Sequence, residues 1–116
     1  MKGKIVCICQ GGNSRSVALA YLLKYHYKID ALACGWEKNT PETIAMLCEW
    51  ADVVCILQKE FIQYVPEKYH SKVDVFDVGP DKWFNGLHPD LLNILQVMMV
   101  EKLAKKGELN EVSKGS

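Results

Sequence analysis

Residues 4–23 read KIVCICQGGNSRSVALAYLL and pass through three local patterns without a break. From Lys4 to Cys9 the run is apolar after its first residue, as expected of a parallel strand covered on both faces. Gln10 to Ser14 is small and polar, with Gly11 and Gly12 adjacent, so the chain turns there. From Arg15 onward Val17, Leu19, Ala20, Leu22 and Leu23 recur at helical spacing. A strand, a glycine turn and a helix in direct succession form the first half of a βαβ unit.

Downstream the same alternation repeats. A second apolar run, Ile29 to Cys34, ends at Gly35. Thr40 then precedes Pro41, an N-cap residue followed by the imino acid that suits a first helical position. The helix they open carries Ile44, Met46, Leu47 and Trp50. Val53 to Leu57 is rich in β-branched residues and predicts a third strand. A short helical piece around Phe61–Tyr64 stops near Pro66, and a fourth strand, Val73–Val78, breaks at Gly79-Pro80. His88-Pro89-Asp90 opens a last helix that runs to about Lys106, with Leu91, Leu92, Leu95, Met98, Met99 and Leu103 on its apolar side. The order predicts an α/β fold of three layers, a four-stranded parallel sheet with helices on both faces. It is one domain, residues 1–106; the tail 107–116 has little to bury and is expected to be disordered.

Composition narrows the function. The 116 residues hold 14 basic and 14 acidic side chains, so no basic excess favours nucleic acid or an anionic membrane surface. The longest apolar runs are too short to span a bilayer, and the stretch after Lys4 does not read as a signal peptide, so the expected compartment is the cytoplasm. The 5 cysteines are an odd count without zinc-site spacing, which predicts free thiols and neither a metal nor a cofactor. Cys34, Cys48 and Cys55 lie in apolar surroundings and are expected to be small buried hydrophobes. His26, His70 and His88 are scattered and read as structural or solvated.

The turn at residues 9–16 has chemistry of its own. Successive backbone N–H groups leading into a helix N-terminus form an anion cradle, here built from Gln10, Gly11, Gly12, Asn13, Ser14, Arg15 and Ser16. A cysteine at its floor, Cys9, meets positive potential that favours the thiolate, which is the nucleophile. Arg15 adds a planar fork for two phosphate oxygens, and Ser16 a hydroxyl for the thiolate. Together they are the parts of covalent phosphoryl transfer.

With Cys9 and Arg15 separated by five residues and Ser16 next, C-x-x-x-x-x-R-S after the first strand resembles the phosphate loop of low-molecular-weight protein tyrosine phosphatases. The segments EWADVVCILQKEF and VFDVGPDKW…HPDLL resemble a small bacterial subgroup of predicted tyrosine phosphatases. The resemblance implies a Cys9 nucleophile, an Arg15 phosphate clamp and an assisting Ser16. Gly12 stands where that family usually has asparagine, and CQGGNSRS is similar to the C-x-x-G-x-x-R-S loop of dual-specificity phosphatases. Those enzymes carry their acid upstream of the loop, whereas only eight residues precede Cys9. Ser14 also replaces the protective loop cysteine of many relatives, which implies a Cys9 open to irreversible oxidation.

Cleavage of a phosphomonoester needs a proton donor for the leaving oxygen. Asp81 and Asp77 both follow the fourth strand. The family places Asp-Pro and aromatics in this segment; Asp81-Lys82-Trp83-Phe84 keeps the aspartate and the aromatics, which favours Asp81 over Asp77. Trp83, Phe84 and Trp36 are candidate walls of a substrate pocket, with packing roles as the alternative. The expectation is therefore a cysteine-dependent phosphatase acting on protein phosphotyrosine, with dual specificity or a small phosphoester as alternatives. A non-catalytic phosphate- or phosphoprotein-binding module is the main rival. Arsenate reduction is disfavoured because no cysteine follows Cys55, and a cysteine phosphocarrier because Arg15 would hold the phosphate too tightly.

Overall fold

The computed structural model describes residues 3–83 and 85–105. Phe84 and the tail beyond Lys105 lie outside the described residues. Strand β1 spans Ile5–Cys9 and is followed by helix α1, Arg15–Tyr25. Then come β2 (Ala31–Gly35), α2 (Pro41–Trp50) and β3 (Val53–Ile56). Two 3-10 turns, Lys59–Tyr64 and Glu67–Lys72, lead to β4 (Val73–Val75), and α3 (Pro89–Lys105) closes the described chain.

The sheet order is β2-β1-β3-β4 with every pairing parallel. Strand β1 is thus central, with Ile5 beside Ala31 and Val53 and Cys9 beside Gly35. Its five residues are all buried, which accounts for the unbroken apolar run. Helices α1 and α3 pack together. The connection reverses direction across the sheet after β2, so right-handed crossovers put α2 on the opposite face. The three layers anticipated from the alternation are present.

Local details differ from the expectation in two places. The short helical piece expected around Phe61–Tyr64 is a 3-10 turn that buries Phe61, and a second 3-10 turn, which buries Tyr69, follows it. Pro66 separates them and prevents one continuous helix. The fourth strand is also shorter, because β4 is an edge with one partner and that partner ends at Ile56. Beyond it the chain still runs alongside β3, with Phe76 N–H donating to the Ile56 carbonyl and Val78 N–H to that of Leu57.

Helix α2 is held at both ends. The Thr40 hydroxyl accepts from Thr43 N–H at 3.2 Å, and Pro41 occupies the first turn. At the other end Lys72 Nζ donates to the carbonyls of Cys48 (3.0 Å) and Ala51 (2.8 Å), replacing helical partners those groups lack. Among the described residues, no helix is long and apolar enough to cross a membrane.

Candidate active site

In open parallel sheets, ligands bind beyond the carboxyl ends of the strands where the connections reverse. Here that place is the end of β1, flanked by β2 and β3, and the turn 10–14 begins there. Gly12 takes φ +72°, a left-handed conformation in which a side chain is strained. A Cβ on Gly12 would also lie 2.7 Å from Gly35 N, so the turn lies directly on the end of β2. The contact is reciprocal, since a Cβ on Gly35 would strike the backbone of residues 10–12. Trp36 N–H donates to the Cys9 carbonyl and Glu37 N–H to that of Gln10, fastening the two segments together.

Inside this turn Cys9 is 1% exposed. Its Sγ donates to Ser16 Oγ at 3.1 Å and accepts from Gly12 N–H at 3.2 Å. Once the thiol is ionised, both groups can donate to sulfur. Ser16 lies in the first turn of α1, so the helix N-terminus faces the same region.

Arg15 is fully buried. One guanidinium nitrogen donates to Gln58 Oε1 (2.8 Å) and to the Gly79 carbonyl (2.6 Å). The guanidinium carbon sits 5.3 Å from the Phe61 ring centroid, a cation–π contact. Its Nε and second terminal nitrogen have no hydrogen-bond partner among the described residues. Among the described residues no carboxylate forms an ion pair with it. A buried cation with bare donors is costly unless an anion completes it.

The two aspartates after β4 have different surroundings. Asp77 Oδ2 accepts from Lys59 N–H at 3.1 Å, and its Oδ1 accepts from Gly79 N–H at 3.0 Å. Both oxygens therefore stabilise loop backbone. Asp81 reaches the 9–16 turn instead: Ser14 Oγ donates to its Oδ2 at 2.9 Å, while Oδ1 accepts from Trp83 N–H at 3.2 Å.

Of the candidate pocket residues, Trp83 is largely buried at 9% exposure, with its ring 5.3 Å from His88 in an edge-on contact. Trp36 stacks on Tyr64 at 4.0 Å and meets Phe61 edge-on at 5.8 Å. A small cavity of about 180 Å³ is lined by Trp36, Pro41, Ile44, Gln63 and Tyr64. Phe84, the third candidate, lies outside the described residues. Gln10 and Asn13 are partly or fully exposed on the turn, and Gln10 Nε2 donates to Glu37 Oε2 at 2.6 Å.

Gln58, Gly79, Phe61 and Glu37 were missed by reading the sequence. Gln58 had one available signal: it lies just past β3, at the same sheet end as the turn.

The remaining cysteines are buried and free. Burial, with Cys48 and Cys9 nearby, pushes the Cys34 thiol up to about 12. Burial raises Cys48 to about 11 against the opposing effect of Lys72. Cys7 is pushed well above the usual thiol range, by burial first and by its Cys55 partner second.

No protein-family model and no curated protein matches the chain. Solved structures do. The tyrosine phosphatase AmsI of Erwinia amylovora superposes with TM-score 0.63 at 16% identity, covering 83% of this chain and 90% of its own. Vibrio vulnificus Wzb, solved with benzylphosphonate, gives 0.62 at 14% identity, covering 87% and 99%. The YwlE arginine phosphatase of Geobacillus stearothermophilus gives 0.57 at 14% identity, covering 90% and 95%. The chain has the α/β fold of these phosphatases over most of its length.

Proposed function

We propose that the protein is a cytoplasmic, cysteine-dependent phosphatase of the low-molecular-weight type, acting on phosphotyrosine in proteins. The observation that carries this reading is Arg15. Among the described residues it is a fully buried guanidinium with two unpartnered nitrogens and no carboxylate, next to a cysteine inside a glycine turn. A phosphate dianion supplies the missing charge and acceptors, and the planar fork takes two of its oxygens.

In the reaction, Cys9 Sγ attacks phosphorus, a P–S bond forms and the P–O bond to the substrate oxygen breaks. Asp81 gives its proton to that oxygen as it leaves. Arg15 and the turn's N–H groups bear the charge on the equatorial oxygens. Ser16 donates to the sulfur. Water then attacks phosphorus, Asp81 takes a water proton, and Cys9 departs as thiolate with inorganic phosphate. Asp77 is the weaker candidate for this role, because its hydrogen bonds tie it to loop backbone at Lys59 and Gly79, whereas Asp81 is bonded to Ser14 of the turn itself. No metal or cofactor enters any step.

Hydrolysis of an aryl phosphate by the wild type and by Cys9→Ser, Asp81→Ala and Asp77→Ala tests the reading. Cys9→Ser is expected to be inactive, and Asp81→Ala to lose about 10²-fold or more in kcat. Full activity in Cys9→Ser would end the mechanism. A larger loss in Asp77→Ala would move the acid to that residue. A wild type that binds phosphate without turnover would make the protein a binding module.

A further inference from the structure

Ser14 occupies the N-cap position of α1, where a serine side chain ordinarily accepts from the second or third helical N–H. Here it makes no such bond. The hydroxyl donates across 67 positions of sequence to Asp81 Oδ2 at 2.9 Å, and the Ser14 residue is only 1% exposed. A buried polar group is therefore spent on a distant carboxylate instead of on its own helix.

The neighbouring contacts show what that bond does. The loop after β4 touches the start of α1 at three successive points. Gly79 gives its carbonyl to Arg15, Asp81 accepts from Ser14, and Gly86 packs so tightly that a Cβ there would lie 2.8 Å from Val17 Cγ1. The first and third contacts fix the ends of the loop. Among the described residues, only the Ser14 bond acts on the carboxyl of Asp81 from the turn side, while Trp83 N–H holds the other oxygen.

We propose that Ser14 is the positioning residue of the general acid: its hydroxyl orients the Asp81 carboxyl over the anion cradle. This rests on the phosphatase reading above. Ser14 does not touch the reacting atoms through this hydroxyl; it sets where the proton on Asp81 is held. Misplacing a catalytic group by about 1 Å costs up to ~10²-fold, so a loss of that order is available to a single hydrogen bond.

The test separates acid positioning from general damage through the leaving group. An ester whose leaving oxygen is strongly basic needs the acid, whereas an activated one departs with little help. Ser14→Ala, Ser14→Thr, Asp81→Ala and the double variant Ser14→Ala/Asp81→Ala are assayed against phenyl phosphate and 2,4-dinitrophenyl phosphate. The readout is kcat/KM, which reports phosphoryl transfer to Cys9 and not the later hydrolysis common to both esters. In kcat/KM, Ser14→Ala is expected to lose about tenfold or more on phenyl phosphate and less than about twofold on the dinitrophenyl ester. Ser14→Thr should recover most of the loss, and Ser14→Ala should cost nothing further once Asp81 is already alanine. Equal losses in kcat/KM on both esters, or a full additional loss in the double variant, would overturn the positioning role. So would an unchanged Ser14→Ala in an active enzyme, and that result leaves the phosphatase reading standing. A wild type inert towards both esters would overturn the phosphatase reading and this inference with it.

Discussion

The two glycines that meet at the site illustrate how differently one residue type behaves. Gly12 and Gly79 both have positive φ, but a Cβ on Gly79 meets nothing within 4 Å, whereas Gly12 and Gly35 abut each other's backbone. Gly79→Ala therefore costs only backbone strain, about 1 kcal/mol. Gly35→Ala drives a methyl group into backbone that has no rotamer to escape by, and is expected to cost about 2 kcal/mol or more. It should also displace the turn, so that activity on phenyl phosphate falls along with the urea midpoint. Equal urea midpoints for the two variants would refute this ordering. Cys9, Arg15 and Ser16 were legible in the sequence because they lie within one local turn, whose chemistry depends on spacing alone. Gly35 and Gln58 were not, because their importance comes from strand ends 23 and 43 residues away in sequence that only the sheet brings together.

At the scale of elements, α2 depends on a residue outside itself. Lys72, at the end of the second 3-10 turn, places an ammonium against the carbonyls at the helix C-terminus. A cation in that position opposes the helix dipole and satisfies unpaired acceptors. Lys72→Met keeps the aliphatic stem and removes the charge, and is expected to lower stability by about 1 kcal/mol. The same change should raise Cys48 further above about 11, since Lys72 is the group that lowers it. A urea midpoint and a thiol titration check the two effects; no change in either would mean the ammonium is only a surface charge. Helix α2 was readable from Thr40-Pro41, whereas its C-terminal cap was not, because Lys72 belongs to another element. The short 3-10 turns were harder still: six residues hold too little periodicity to distinguish them from a helix.

Across the whole molecule, the buried thiols set an upper limit on the pH range of stability. In the unfolded chain cysteines ionise near ~8.5, while in the fold Cys34 waits until about 12 and Cys48 until about 11. Between those values the unfolded state binds fewer protons than the folded one, so stability falls as pH rises. The urea midpoint is expected to show no thiol-dependent decline below about pH 8 and to fall progressively from about pH 9 upward. Cys34→Ala/Cys48→Ala should flatten that decline, and an unaltered slope would assign it to other groups. The α/β class itself was visible from the alternation of strands and helices, since a parallel sheet permits few arrangements of such an order. The seam between Gly12 and Gly35 has a further consequence, for transplantation. A designer who moved only residues 9–16 onto another parallel sheet would import Cys9 and Arg15 into a host unable to seat them. The portable unit is discontinuous: the loop travels only with a recipient whose neighbouring strand also ends in glycine.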